Sequence, residues 1–113
     1  MNIYKILSGF CLFLAVGVVS ADPVWIDVRT VEEYQADHID GDANIPLAEL
    51  DAKKLAETYG NDAEIMLYCR SGNRAGQALT ILETAGFSHL VNAGGINDVR
   101  ALRDIAAQSA SPR

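Results

Sequence analysis

Cysteine and histidine are scarce in this chain, with two of each in 113 residues: Cys11 and Cys69, His38 and His89. No two of the four stand at the spacing of a metal site, so a zinc-type centre is excluded and no metal is expected. Positive charge is also in short supply. Nine Lys and Arg face fifteen Asp and Glu, a net charge of −6. That balance repels nucleic acid and anionic lipid and removes both from the expected partners. There are no repeats and no low-complexity linkers, so a chain of this length supplies one domain. Long hydrophobic runs are missing as well. The uncharged run Ile6 to Val19 has 14 residues, short of the roughly 20 that a membrane-crossing helix needs.

That run is read instead as part of an export signal over residues 1–21. Lys5 gives the positive start, and Val19-Ser20-Ala21 offers small residues for cleavage before Asp22. An uncleaved anchor is the alternative, since Asn2 and Tyr4 flank the run without deciding the matter. Cys11 is not set up for lipid attachment, because bulky Phe10 precedes it. Cleavage removes Lys5 and leaves eight basic against fifteen acidic residues, a net charge of −7, and it leaves Cys69 as the one cysteine. The expected location is the periplasm, with no membrane contact once the signal is gone. A single cysteine cannot close an internal disulfide, so in an oxidising compartment its thiol is reactive or intermolecular.

Cys69 ends the apolar run Ile65-Met66-Leu67-Tyr68, the pattern of a buried strand. Arg70, Ser71, Gly72 and Asn73 then lead to Arg74, and Ala75, Ala78, Leu79, Leu82 and Ala85 recur at helical spacing. The expectation is strand, tight loop, helix, with Cys69 on the rim of the loop. Backbone N–H groups of the loop and of the first helical turn face the sulfur. Arg70 and Arg74 add full charge. All three favour thiolate over thiol, and the thiolate is the nucleophile. At an ordinary pKa of about 8.5 only roughly 3% of a thiol is ionised at neutral pH, and each unit of depression stabilises the anion by about 1.4 kcal/mol. The plainer reading is a small buried hydrophobe at a strand end. The glycine loop and the two arginines weigh against it.

The rest of the chain alternates short strands and helices. Val24 to Val28 reads as a buried parallel strand. Thr30 with Glu33 is a capping box opening a short helix through Tyr34 and Ala36. Asn44-Ile45-Pro46 reads as a very short strand. A helix is expected from Leu47 to Tyr59 with Gly60 as its stop, and a further strand from Phe87 to Val91. Asn92-Ala93-Gly94-Gly95 reads as a tight turn whose glycines permit positive φ or close backbone approach. Val99, Leu102 and Ile105 mark a last amphipathic helix. The fold class is α/β: a small parallel sheet with helices on both faces, and the site at the carboxyl ends of the strands. Asp27 at a strand end can hold the loop or Arg29, or can serve as a catalytic partner; the first use is the commoner for such carboxylates. His38 reads as a packing and hydrogen-bonding residue.

Three segments resemble the rhodanese (sulfurtransferase) family. Cys69-Arg70-Ser71-Gly72-Asn73-Arg74 followed by a helix is similar to its active-site loop. Asp27-Val28-Arg29 with Glu33-Tyr34, His38-Ile39, Gly41 and Asn44-Ile45-Pro46 is similar to its N-terminal signature, and Asn92-Ala93-Gly94-Gly95 to its C-terminal one. Asp42 departs from the family, where a small apolar residue is usual, and is expected to add a surface charge without touching the site. The resemblance implies a rhodanese domain over 22–113. It further implies that Cys69 takes sulfur from thiosulfate or a similar donor, releases sulfite, and holds a persulfide against the N–H groups of Arg70 to Ala75. Cyanide or a thiol, for instance that of a thioredoxin-like protein, then removes the sulfur. No cofactor is implied. Arg70 and Arg74 would hold the anionic donor, with Arg70 toward the mouth of the site and Arg74, where the helix begins, alternatively a brace for the loop. Two alternatives stay open. A cysteine phosphatase or arsenate reductase also sets a thiolate in an arginine-bearing loop, but with five residues between cysteine and arginine where this chain has four. A sulfane-sulfur carrier for a protein partner would need the same persulfide.

Overall fold

Ile65, Leu67 and Cys69 alternate with Met66 and Tyr68, and that alternation divides one strand between two cores. The strand is β3 (Glu64–Cys69), central in an all-parallel sheet of order β2-β1-β3-β4, with β1 at Val24–Asp27, β2 at Ala43–Asn44 and β4 at His89–Gly95. These elements come from a computed structural model of the protein, which describes residues 22–110. The expected export signal, residues 1–21, lies outside the described residues. Among those described, no helix is long and apolar enough to cross a membrane.

Among the described residues, four α-helices accompany the sheet: α1 (Val31–Ala36), α2 (Ala52–Tyr59), α3 (Asn73–Thr84) and α4 (Ile96–Ala110). In-register neighbours Ile26 and Leu67 point to one side with Ile65, where Leu55 of α2 and Ala75, Ala78 and Leu82 of α3 bury them. Trp25 and Tyr68 point to the other side, against Ile96 and Val99 of α4. Helices therefore cover both faces, as a parallel sheet buried on two sides requires. Val28, beyond the end of β1, stays bonded to the sheet through its N–H to the Tyr68 carbonyl (2.9 Å).

Three local expectations are corrected. The single helix over 47–59 is split into a 3₁₀ turn, Leu47–Glu49, and α2. The break occurs because the Asp51 carboxylate accepts the Lys54 N–H at 3.1 Å and so caps a new helix, with its own backbone extended. Leu50 and Leu55 still reach the core across the break, whereas Tyr59 is exposed. The last strand starts at His89 rather than Phe87 and runs through the expected turn to Gly95. Leu67 pairs with Asn92 and Cys69 with Gly95, so β4 carries one extra residue, a bulge that Gly94 accommodates at φ +90°.

Asp42 is the third correction. It is 9% exposed and lies under α4, where its Oδ2 accepts the Tyr68 hydroxyl (2.6 Å) and Arg103 Nη1 (2.7 Å). The Arg103 guanidinium in turn stacks on Trp25, 4.5 Å from the ring centroid. A carboxylate is tolerated at this position because both of its partners are brought to it by other elements. The result is a polar clamp between the sheet and α4, on the side of Tyr68 away from the cysteine loop.

Candidate active site

The site is built at the carboxyl end of β3. Only Arg70, Ser71 and Gly72 separate Cys69 from the start of α3, so the chain must turn sharply to present the helix N-terminus to the strand end. Gly72 makes that turn at φ +100° as the N-cap residue of α3, a conformation that costs an L side chain energy. Its N–H then points at Cys69 Sγ, 3.0 Å away. Cys69 is a free cysteine, only 1% exposed. It lies at the floor of the loop, not on its rim as expected, because β3 carries it into the core beside Ala75.

Burial pushes the Cys69 thiol up, but the backbone N–H groups of Ala75, Ser71, Gly72 and Arg74 outweigh that penalty and hold it below the ordinary thiol range. The backbone, rather than either guanidinium, is the principal source of the depression. This is hydrogen bonding to the charged form of a buried group. The thiolate form of the sulfur is thus favoured by a ring of donors above it.

The two loop arginines are not equivalent. Among the described residues the exposed Arg70 side chain makes no hydrogen bond and no ion pair. It lines a cleft of about 360 Å³ together with Arg29, Glu33, Asp37 and Asn97. Arg74 is already engaged. Its Nη1 lies 2.6 Å from Glu33 Oε1 and its Nη2 3.1 Å from Oε2, a two-point contact with α1 across 41 residues of sequence. Sequence reasoning offered Arg74 both as a donor contact and as a brace for the loop. Glu33 was read as the capping partner of Thr30 and as part of the N-terminal signature, and it does serve as the cap, accepting from the Thr30 N–H at 2.9 Å. Arg74 and the Thr30 backbone together hold the Glu33 carboxyl down to about 2.

The other two signatures brace the loop. Asn92 donates from Nδ2 to the Gly72 carbonyl (3.0 Å) and accepts the Gly94 N–H on Oδ1 (2.9 Å), so one side chain ties β4 to the turn of the cysteine loop. Gly95 lies so close to the Arg70 carbonyl that a Cβ there would overlap it. Asp98 fixes that approach by accepting the Gly95 N–H at 2.9 Å. Asp27, fully buried, accepts the Arg29 backbone N–H and its guanidinium at 2.8 to 3.1 Å, the loop-holding use of that carboxylate. Asn44 bonds the carbonyls of both residues at 3.0 Å. His38 stacks on Tyr34, with ring centroids 4.2 Å apart. Among the described residues no group of three or more His, Cys, Asp or Glu could hold a metal ion.

Both the sequence and the parallel α/β fold are similar to those of known proteins. Residues 17–102 match the family described as the rhodanese-like domain. The chain is 38% identical over 95 residues to the thiosulfate sulfurtransferase PspE of Escherichia coli (strain K12), covering 84% of this chain and 90% of that protein. It is 40% identical over 67 residues to the putative sulfur carrier protein YrkF of Bacillus subtilis (strain 168), covering 59% of this chain and 35% of that protein. Among solved structures, a rhodanese with anions from E. coli superposes with a TM-score of 0.62 at 40% identity, over 68% of this chain and 91% of that one. The chain belongs to the rhodanese-like domain family, as a single-domain homologue of a thiosulfate sulfurtransferase.

Proposed function

We propose that this rhodanese-family sulfurtransferase moves sulfane sulfur from thiosulfate, or a similar donor, to a thiophilic acceptor through a persulfide on Cys69. The observation that carries the reading is the buried sulfur of Cys69 beneath converging backbone N–H groups, with that of Gly72 at 3.0 Å. The Cys69 thiolate attacks the outer sulfur of thiosulfate. A sulfur–sulfur bond forms to Cys69, the donor's own sulfur–sulfur bond breaks, and sulfite leaves with the bonding pair. The terminal persulfide anion then occupies the ring of N–H groups from Arg70 to Ala75, where the fixed dipoles stabilise it without reorganising. Cyanide attacks that outer sulfur to give thiocyanate and return the thiolate; a thiol acceptor, such as that of a thioredoxin-like protein, takes the sulfur in the same way. The donors that favour the thiolate take the place of a general base in the first step.

Arg70 is the side chain offered to the donor's sulfonate oxygens, being exposed and unengaged at the mouth. The depth of Cys69 favours transfer of one sulfur atom over hydrolysis of a tetrahedral oxyanion. The pairing of Arg74 with Glu33 points the same way, since it leaves the loop's second guanidinium occupied. A carrier role is the second reading, supported by the similarity to a putative sulfur carrier, and it uses the same persulfide. Export to the periplasm with cleavage before Asp22 belongs to the proposal on the strength of residues 1–21 alone.

The test is intact mass. Thiosulfate should add one sulfur atom to the mature protein, removable by cyanide or a reductant, and Cys69→Ser should abolish both the adduct and thiocyanate formation. Thiocyanate production by that variant would remove Cys69 from the mechanism. Multiple turnover with small molecules separates an enzyme from a carrier, which would transfer once to a protein.

A further inference from the structure

Glu33 joins three things that the loop chemistry does not itself require. It caps α1 through Thr30, it takes both terminal nitrogens of Arg74, and it lines the same cleft as Arg70. Arg74 is close enough to Cys69 for the thiolate to be among the charges acting on its guanidinium, and its backbone N–H is one of those facing the sulfur. A free Arg74 side chain would therefore have the sulfur site within its field. The ion pair is only partly open to water, with the two side chains 30% and 28% exposed, so solvent weakens it without cancelling it.

We propose that Glu33 is a positioning residue that keeps Arg74 off the sulfur site, so that an anionic donor meets one guanidinium, Arg70, and sulfite is not retained by two. The inference rests on the sulfurtransferase reading and deepens it. Thiosulfate and sulfite both carry two negative charges, so a second guanidinium at the mouth would bind the donor more tightly and also slow release of the product. Binding donor and product alike more strongly adds nothing to turnover once the site is full. The remaining charges around the site do not substitute for this role. Asp27 and Arg29 neutralise one another, Asp98 is bonded to the Gly95 N–H, and Arg70 is the guanidinium left for the donor.

Glu33→Gln is the informative variant. The amide retains a capping partner for Thr30 but loses the charge that holds Arg74. The Michaelis constant for thiosulfate and the inhibition constant for sulfite should both fall by about three- to tenfold, the range for a partly exposed charge-assisted contact. Raised salt should erase the gain. The rate of Cys69 alkylation by iodoacetamide, followed against pH, should reach its midpoint at a lower pH than in the wild type. Adding Arg74→Gln should return all three values towards the wild type. A purely structural role would instead lower the melting temperature and weaken donor binding. An unchanged or raised Michaelis constant, with an unchanged alkylation midpoint, overturns the proposal. Glu33→Ala, which also removes the cap, should lose stability and still show the lower midpoint; a midpoint at the wild-type value overturns it equally. The alkylation titration needs no sulfur transfer, so a failure of the sulfurtransferase reading would leave this test intact and distinguishable.

Discussion

Replacing Gly72 by alanine probes the link between loop geometry and thiolate chemistry. Gly72 has φ +100°, and an added Cβ would meet nothing closer than the Gly94 Cα at 3.4 Å. The penalty is therefore one of backbone conformation more than of space, about 1–2 kcal/mol for an L residue held there. Gly86, at the other end of α3, has φ +103° with similar room, its nearest neighbour being Asn61 Nδ2 at 3.7 Å. Gly72→Ala and Gly86→Ala should lose comparable stability, roughly 4–8 °C in melting temperature for each kcal/mol in a domain of this size. Only the first should change the chemistry. If the strained loop relaxes, the Gly72 N–H leaves Sγ, and a hydrogen bond to a charged group is worth roughly 1.5–3 kcal/mol. That raises the thiol towards its ordinary value and lowers the thiolate fraction available near neutral pH. The assay is alkylation of Cys69 across pH beside thiocyanate formation and thermal melts for both variants. Equal melting losses with an unshifted alkylation midpoint in Gly72→Ala would refute the reasoning and leave the other N–H groups as the whole of the cradle.

Four further side chains each carry a prediction. Arg70→Ala should raise the Michaelis constant for thiosulfate about 10-fold or more with little change in melting temperature, since the side chain is exposed and unpaired. Arg74→Ala should instead cost about 1 kcal/mol of stability from the pair with Glu33 and disturb donor kinetics less; steady-state kinetics and melts on both variants compare them. Asp42→Ala should destabilise by about 2–3 kcal/mol in denaturant titration, because Arg103 and the buried Tyr68 hydroxyl both lose their acceptor. Asp42→Asn should recover part of that loss. The Glu33 carboxyl is held at about 2 against an ordinary 4.5, so its stabilisation is full above the higher value and is lost as pH falls towards the lower. Acid unfolding curves should show that limb in the wild type and a flatter one in Glu33→Gln.

Local chemistry made much of this legible from residues alone. The apolar run ending at Cys69, the glycine three residues on and the helical spacing after it define strand, turn and helix N-terminus within ten residues. The N–H cradle follows from that order, because a sharp turn into a helix leaves the first backbone donors unpaired and facing the strand end. Thr30 and Glu33 likewise announce their cap, and Asp27 with Arg29 their loop-holding pair. What the sequence could not decide were contacts made across long separations. Glu33 meets Arg74 across 41 residues, and Asp42 meets Arg103 across 61 and Tyr68 across 26. In each case a polar residue has several possible partners, and packing α1 or α4 against the sheet selects one. The break at Asp51 and the bulge at Gly94 belong to the same class. Both turn on whether a side chain or a neighbouring strand takes up the backbone hydrogen bonds, and the pattern of apolar residues is the same in either case. Periodicity thus determined which face of each element is buried, while the assembled sheet decided which charges meet, since an ion pair depends on position in space and not on order along the chain.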